Sequence, residues 1–170
     1  MKPFTCTAIA MVLASFAMVV SADENPDAGF YMKAAEGGMS EVQLGTLAQS
    51  KSPTPGIKEF GSMMVTDHTV GNDKLKAIAS SKGIELPTSP SVEQMATKAK
   101  LDVLTGATFD KSYIKGMVED HEETIKLFQN EASAGQDPDA KSFAAATLPT
   151  LQKHLKSIKT LATAQGVPFK

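Results

Sequence analysis

From about residue 25 onward, apolar side chains recur every three to four positions and runs of alternating β-branched residues are nearly absent. That periodicity predicts an all-α protein. The punctuation between periodic stretches is legible. Asn25-Pro26, Thr54-Pro55 and Asp137-Pro138 each set an N-cap residue before a proline of the first helical turn, and Lys82-Gly83, Ala134-Gly135 and Gln165-Gly166 each set a glycine where a helix should stop. These signals bracket four long helices, at about 26–51, about 55–82, from Thr108 or Asp110 to about 134, and about 138–165. The link between the second and third contains Pro87 and Pro90, then a capping box in Ser91-Val92-Glu93-Gln94 that opens a short helix to about Thr105.

Two of the connections are tight, whereas this third one is long enough to run back along the bundle. A four-helix bundle with one long crossover between its second and third helices is the ferritin-like arrangement, and the pattern favours it over a simple up-down-up-down bundle.

Most members of the apolar stripes are core. The stripe of the second long helix runs through Ile57, Phe60, Met64, His68, Leu75 and Ile78, and that of the third through Ile114, Met117, His121, Ile125 and Phe128. The fourth carries Leu151, His154, Leu155, Ile158 and Leu161, and in the first Glu41 shares the phase of Phe30, Ala34, Gly37, Leu44 and Ala48. All three histidines of the chain therefore sit on core-facing stripes. Counted from the turns near Pro53 and Gln136 at a rise of about 1.5 Å per residue, Glu41 and His68 differ in height by roughly 4.5 Å, as do His121 and His154. The four groups are expected to form one layer.

Three imidazoles and a carboxylate make a competent set of ligands for a divalent transition metal, Cu, Zn, Fe or Mn. The same four groups could instead satisfy one another as a buried hydrogen-bonded network. Met64 and Met117 stand one turn from the layer and would add soft donors favouring copper, or serve as ordinary core. Asp67 and Asp120, each next to its histidine but rotated by about 100°, are expected to support the layer or face solvent rather than ligate. Because ligating imidazoles must be neutral, metal binding would weaken as pH falls through roughly 6.5.

The first 22 residues stand apart from this pattern. Met1-Lys2-Pro3, an apolar run from Ala8 to Val20, and Val20-Ser21-Ala22 ahead of Asp23-Glu24-Asn25 read as a signal peptide cleaved after Ala22. The run is too short for the roughly 20 residues of a membrane span. A periplasmic or secreted chain of residues 23–170, forming one domain, is the expectation. The single cysteine, Cys6, falls within the leader, so the mature chain has no disulfide and no thiolate ligand. Every one of the 17 basic residues is lysine and the net charge is −2, which excludes the arginine-rich basic footprint of a nucleic-acid binder.

An internal echo connects two of the helices: Met64-Val65-Thr66-Asp67-His68 and Met117-Val118-Glu119-Asp120-His121 share Met-Val-x-Asp-His. With Ala34 to Ala48, Ile57-Lys58-Glu59-Phe60, Lys82-Gly83-Ile84-Glu85-Leu86-Pro87, Tyr113 to Phe128 and Leu148-Pro149-x-Leu151-x-x-His154-Leu155, these runs resemble the family catalogued as domain of unknown function 4142. The resemblance implies a ferritin-like fold and export in bacteria, where such proteins are often labelled predicted outer-membrane proteins. It implies no activity and no ligand set.

A carboxylate-bridged di-iron site needs Glu-x-x-His on two helices. Val65, Val118 and Leu151 occupy the three relevant positions, so ferroxidase or oxygenase chemistry is not expected. The chain also lacks a zinc-protease helix, a G-x-S-x-G elbow, a P-loop and a G-x-G-x-x-G turn. Three readings follow, in order: an exported metal-binding bundle, a non-catalytic envelope or stress-related bundle whose surface binds a protein partner, and a redox enzyme.

Overall fold

A computed structural model describes residues 25–169 of the chain, and the predicted signal peptide lies outside them. Five helices are formed: α1 (Ala28–Lys51), α2 (Pro55–Ser81), α3 (Val92–Asp102), α4 (Gly106–Ala134) and α5 (Pro138–Ala164). Among the described residues there is no strand, and no helix is long and apolar enough to cross a membrane.

The capping box of α3 forms as its sequence predicts: Ser91 Oγ accepts from the Gln94 amide while Gln94 Oε1 accepts from the Ser91 amide. Thr54 and Asp137 precede their prolines as N-caps of α2 and α5. Two helix starts differ from the sequence reading. The cap of α1 is Asp27 rather than Asn25, because Asn25 turns its Oδ1 back onto the Asp27 amide and leaves Pro26 outside the helix. The third long helix begins at Gly106, before Thr108, since Thr105 is extended and already caps it. α5 runs on through Pro149, which lies inside the helix and, lacking an N–H, cannot donate to the Ala145 carbonyl.

α1 packs on α2 and α4 on α5 as two hairpins, with α2 against α5 and α1 against α4 between them, and α3 lies against α1 and α4. The rings of Phe60 and Tyr113 lie 6.3 Å apart and those of His68 and His121 5.9 Å apart, each pair joining residues at the same offset along α2 and α4. A constant offset means that α2 and α4 run in the same direction. The Met-Val-x-Asp-His echo is thus the register of two parallel helices, and the long link containing α3 returns the chain to the starting end. Asp110 of α4 ties that end together by accepting from Ser52 and Thr54 of the α1–α2 turn, both at 2.6 Å.

The core is divided. One cluster gathers Leu44, Phe60, Met64, Phe109, Tyr113, Met117 and Ile158, the other Phe30, Leu75, Phe128, Phe143 and Leu151. The histidines lie between them.

At the far end, Asp27 accepts the amides of Gln136 and Asp137, while Tyr31 donates to Asp137, which also pairs with Lys82 at 3.0 Å. Glu131 is buried beside them with its Oε1 unpartnered, and burial, reinforced by Asp27, pushes its carboxyl up to about 7. Between the ordinary glutamate value and 7 the folded chain keeps a proton that the unfolded chain releases, so this group lowers stability as pH rises across that window. Glu131→Gln should therefore match the parent protein near pH 4.5 and exceed it by roughly 1–2 kcal/mol at pH 8, measured by denaturant unfolding. A difference that does not grow with pH would show that Glu131 folds without this cost.

Candidate metal centre

Helical spacing places each histidine one turn from a buried anchor of its own stripe: His68 follows Met64, His121 follows Met117, and His154 precedes Ile158. His121 and His154 are each 1% exposed and His68 is partly buried. Their rings form a nearly equilateral triangle, with centroids 5.9, 5.3 and 5.6 Å apart, and one nitrogen of each lies within 4.8 Å of the others. An ion at ~2.1 Å from each nitrogen would separate the ring centres by about 5.3 Å in a tetrahedral arrangement and about 5.6 Å in a trigonal one. The observed triangle spans those values.

The hydrogen bonds fix which nitrogens are available. His121 Nδ1 lies 2.9 Å from the Met117 carbonyl and His154 Nε2 lies 2.8 Å from Asp67 Oδ2. A carbonyl and a carboxylate only accept, so both nitrogens carry the proton and donate. The opposite nitrogens, His121 Nε2 and His154 Nδ1, are then lone pairs, and both are buried without a partner, as is His68 Nε2. Burial, followed by the other two imidazoles, lowers His68 to about 3; burial and then His154 lower His121 to about 4; His154 is also lowered by burial, against the pull of Asp67. All three rings are neutral at physiological pH.

Glu41 is drawn into the same layer but not into the same group. Its Oε1 lies 3.6 Å from His121 Nδ1, too far for a hydrogen bond and against a nitrogen already donating to Met117. Burial, and then Asp120, hold its carboxyl well above the ordinary range. The structure thus brings together His68, His121 and His154, sets Glu41 against the Nδ1 side of His121, and makes Asp67 the hydrogen-bond partner of a histidine from another helix. Met64 and Met117 pack in the first apolar cluster, where Met117 also contributes its carbonyl. The sequence offered Asp67 as a group that supports the layer or faces solvent, but nothing in it pointed to the Met117 carbonyl or to α5 as the helix Asp67 pairs with.

These features define an all-α protein built around a buried cluster of three imidazoles supported by a carboxylate and a main-chain carbonyl. Residues 15–161 match the family described as Domain of unknown function (DUF4142), and the chain belongs to that family. Among solved structures it is similar to the "putative secreted protein DUF305" from Streptomyces coelicolor, with a TM-score of 0.73 at 14% identity, over 88% of this chain and 99% of that one. At that identity the likeness is one of fold. Comparison with curated proteins finds no match.

Proposed function

We propose that this protein is an exported metal-binding protein whose His68, His121 and His154 hold one divalent transition-metal ion. The observation that carries the reading is the set of three buried imidazole nitrogens without partners, two of them lone pairs by the hydrogen bonds on their opposite sides. Lone pairs cannot satisfy one another, so a network of these three rings alone leaves the cost of burying polar groups uncompensated, whereas a cation removes it. Asp67 and the Met117 carbonyl supply the outer hydrogen bonds that orient metal-bound histidines. Glu41 is the fourth member of the layer and would ligate only by turning toward the three rings.

An all-imidazole set suits Cu²⁺ and Zn²⁺ over Mn²⁺, with Cu²⁺ tightest. Export rests on the leader-like residues 1–22 and on the secreted description of the structural neighbour. Native mass spectrometry of the exported protein should find a chain beginning at Asp23 and carrying one metal ion.

Calorimetric titration of metal-free protein tests the site directly. Unperturbed histidines near 6.5 would cost a three-imidazole site up to ~10³ in affinity between pH 7.5 and 5.5 through proton competition. Here burial keeps His68 and His121 neutral well below 6.5 and lowers His154 as well, so the loss should be no more than about tenfold, with release shifted below pH 6.5. This replaces the midpoint near 6.5 that the sequence alone suggests. No stoichiometric uptake of any of the four ions at pH 7.5 would return the layer to a structural role.

A further inference from the structure

We propose that the metal held by His68, His121 and His154 keeps one coordination position open to an adjoining cavity and there takes a small exogenous monoanion. The inference rests on the metal reading above and adds to it the class of ligand.

The three imidazoles line a cavity of about 60 Å³ whose remaining wall is mostly apolar, with Leu75, Phe128, Phe143 and Leu151, and also carries the carboxyl groups of Glu41 and Asp67. A space of this size holds more than a single water and suits a ligand of a few non-hydrogen atoms. Structural metal sites close their coordination sphere with protein donors, whereas sites that act on a ligand supply three and leave a position free. The group of nitrogens that converges here numbers three, and Glu41 stands beside His121 Nδ1 rather than among them.

Charge selects an anion. All three donors are neutral, leaving a dipositive ion in a largely buried site with Asp67 partly exposed at its edge, and a bound anion reduces that net charge. Lys33, exposed on α1, contributes the cationic group to the cavity lining. Gly71 marks a route: it lies one turn beyond His68 on α2, lines the cavity, and a Cβ built on it would meet nothing within 4 Å. A Cβ there would enter open space at the cavity lining, one turn from His68.

The test loads the full mature chain with one equivalent of Cu²⁺ and titrates azide, a linear three-atom monoanion, following the azide-to-copper charge-transfer absorption. Azide should bind with a one-to-one endpoint, and benzoate, too large for the cavity, should not displace it. Gly71→Leu should still take up one copper but weaken azide at least tenfold; Gly71→Ala, which adds one methyl group and favours the helix, should weaken it less. Copper uptake without any azide band would overturn the open position while leaving the metal site standing, as expected if Glu41 or another protein donor closes the sphere. Azide binding unchanged in Gly71→Leu, or equal competition by benzoate, would overturn the cavity as the route. No copper uptake would overturn this inference together with the metal reading.

Discussion

Replacing any one of His68, His121 or His154 with alanine should abolish stoichiometric metal binding, while replacing Glu41 should not. Loss of one nitrogen from a set of three leaves two donors in a buried pocket, and the affinity should fall by at least about 10³, beyond the ~10–100-fold typical of removing an outer partner. Asp67→Asn belongs to that outer class: the isosteric amide still reaches His154 Nε2 but no longer holds the proton on that nitrogen, so His154 Nδ1 is free as a lone pair only part of the time. Glu41→Gln separates two geometries. If Glu41 remains where the structure places it, against a nitrogen that already donates to Met117, its substitution costs less than about tenfold; if it swings in as a fourth ligand, the loss rivals that of a histidine. Calorimetry on the five variants, each first shown to melt cooperatively, distinguishes these cases. Histidine variants that bind as the parent does would sink the assignment.

The second large effect concerns α1 and α2, where backbone meets backbone. A Cβ on Gly45 would stand 2.6 Å from the Gly61 carbonyl and 3.0 Å from Met64 Cβ, and a Cβ on Gly61 would stand 2.6 Å from the Gly45 carbonyl. The obstacle is main chain, not the end of a flexible side chain, so the helices must part. Gly45→Ala should destabilise by roughly 1–3 kcal/mol, a magnitude typical of overpacking, even though alanine improves helix propensity by about 1 kcal/mol. Gly116→Ala, on an α4 position with nothing within 4 Å, should instead gain about that 1 kcal/mol. Chemical denaturation of the two variants should move their midpoints in opposite directions. A stabilised Gly45→Ala would mean that the hairpin is not packed at this distance.

The glycines illustrate what a sequence conceals. Gly45 and Gly116 interrupt helices in the same way along the chain, and propensity assigns both the same cost. Only the partner surface, open at one and a carbonyl at the other, gives their substitutions opposite signs. Asp27 shows the same limit at a helix end: as a residue type it is an ordinary cap, yet its carboxylate serves the amides of Gln136 and Asp137 across the bundle.

What the sequence determined by itself was whatever depends on a single helix or on neighbours along the chain. The 3.6-residue period fixed which face of each helix is buried, the Ser91–Gln94 box and the prolines fixed most of the starts, and counting the rise from the turns put three histidines and Glu41 at one height. The echo at a constant offset matches the arrangement found, since parallel helices in register bring pentads alike at four of five positions to the same level. The tertiary structure decided the rest. Period and rise specify an angle and a height but not the distance across the bundle, nor which nitrogen of a ring faces inward; those depend on interhelical spacing, rotamers and hydrogen-bond partners from other helices. Hence four layer residues became three converging imidazoles with Glu41 to one side. Asp67, rotated away from its own histidine, found one on α5, and the cavity beside them arose from walls contributed by four different helices.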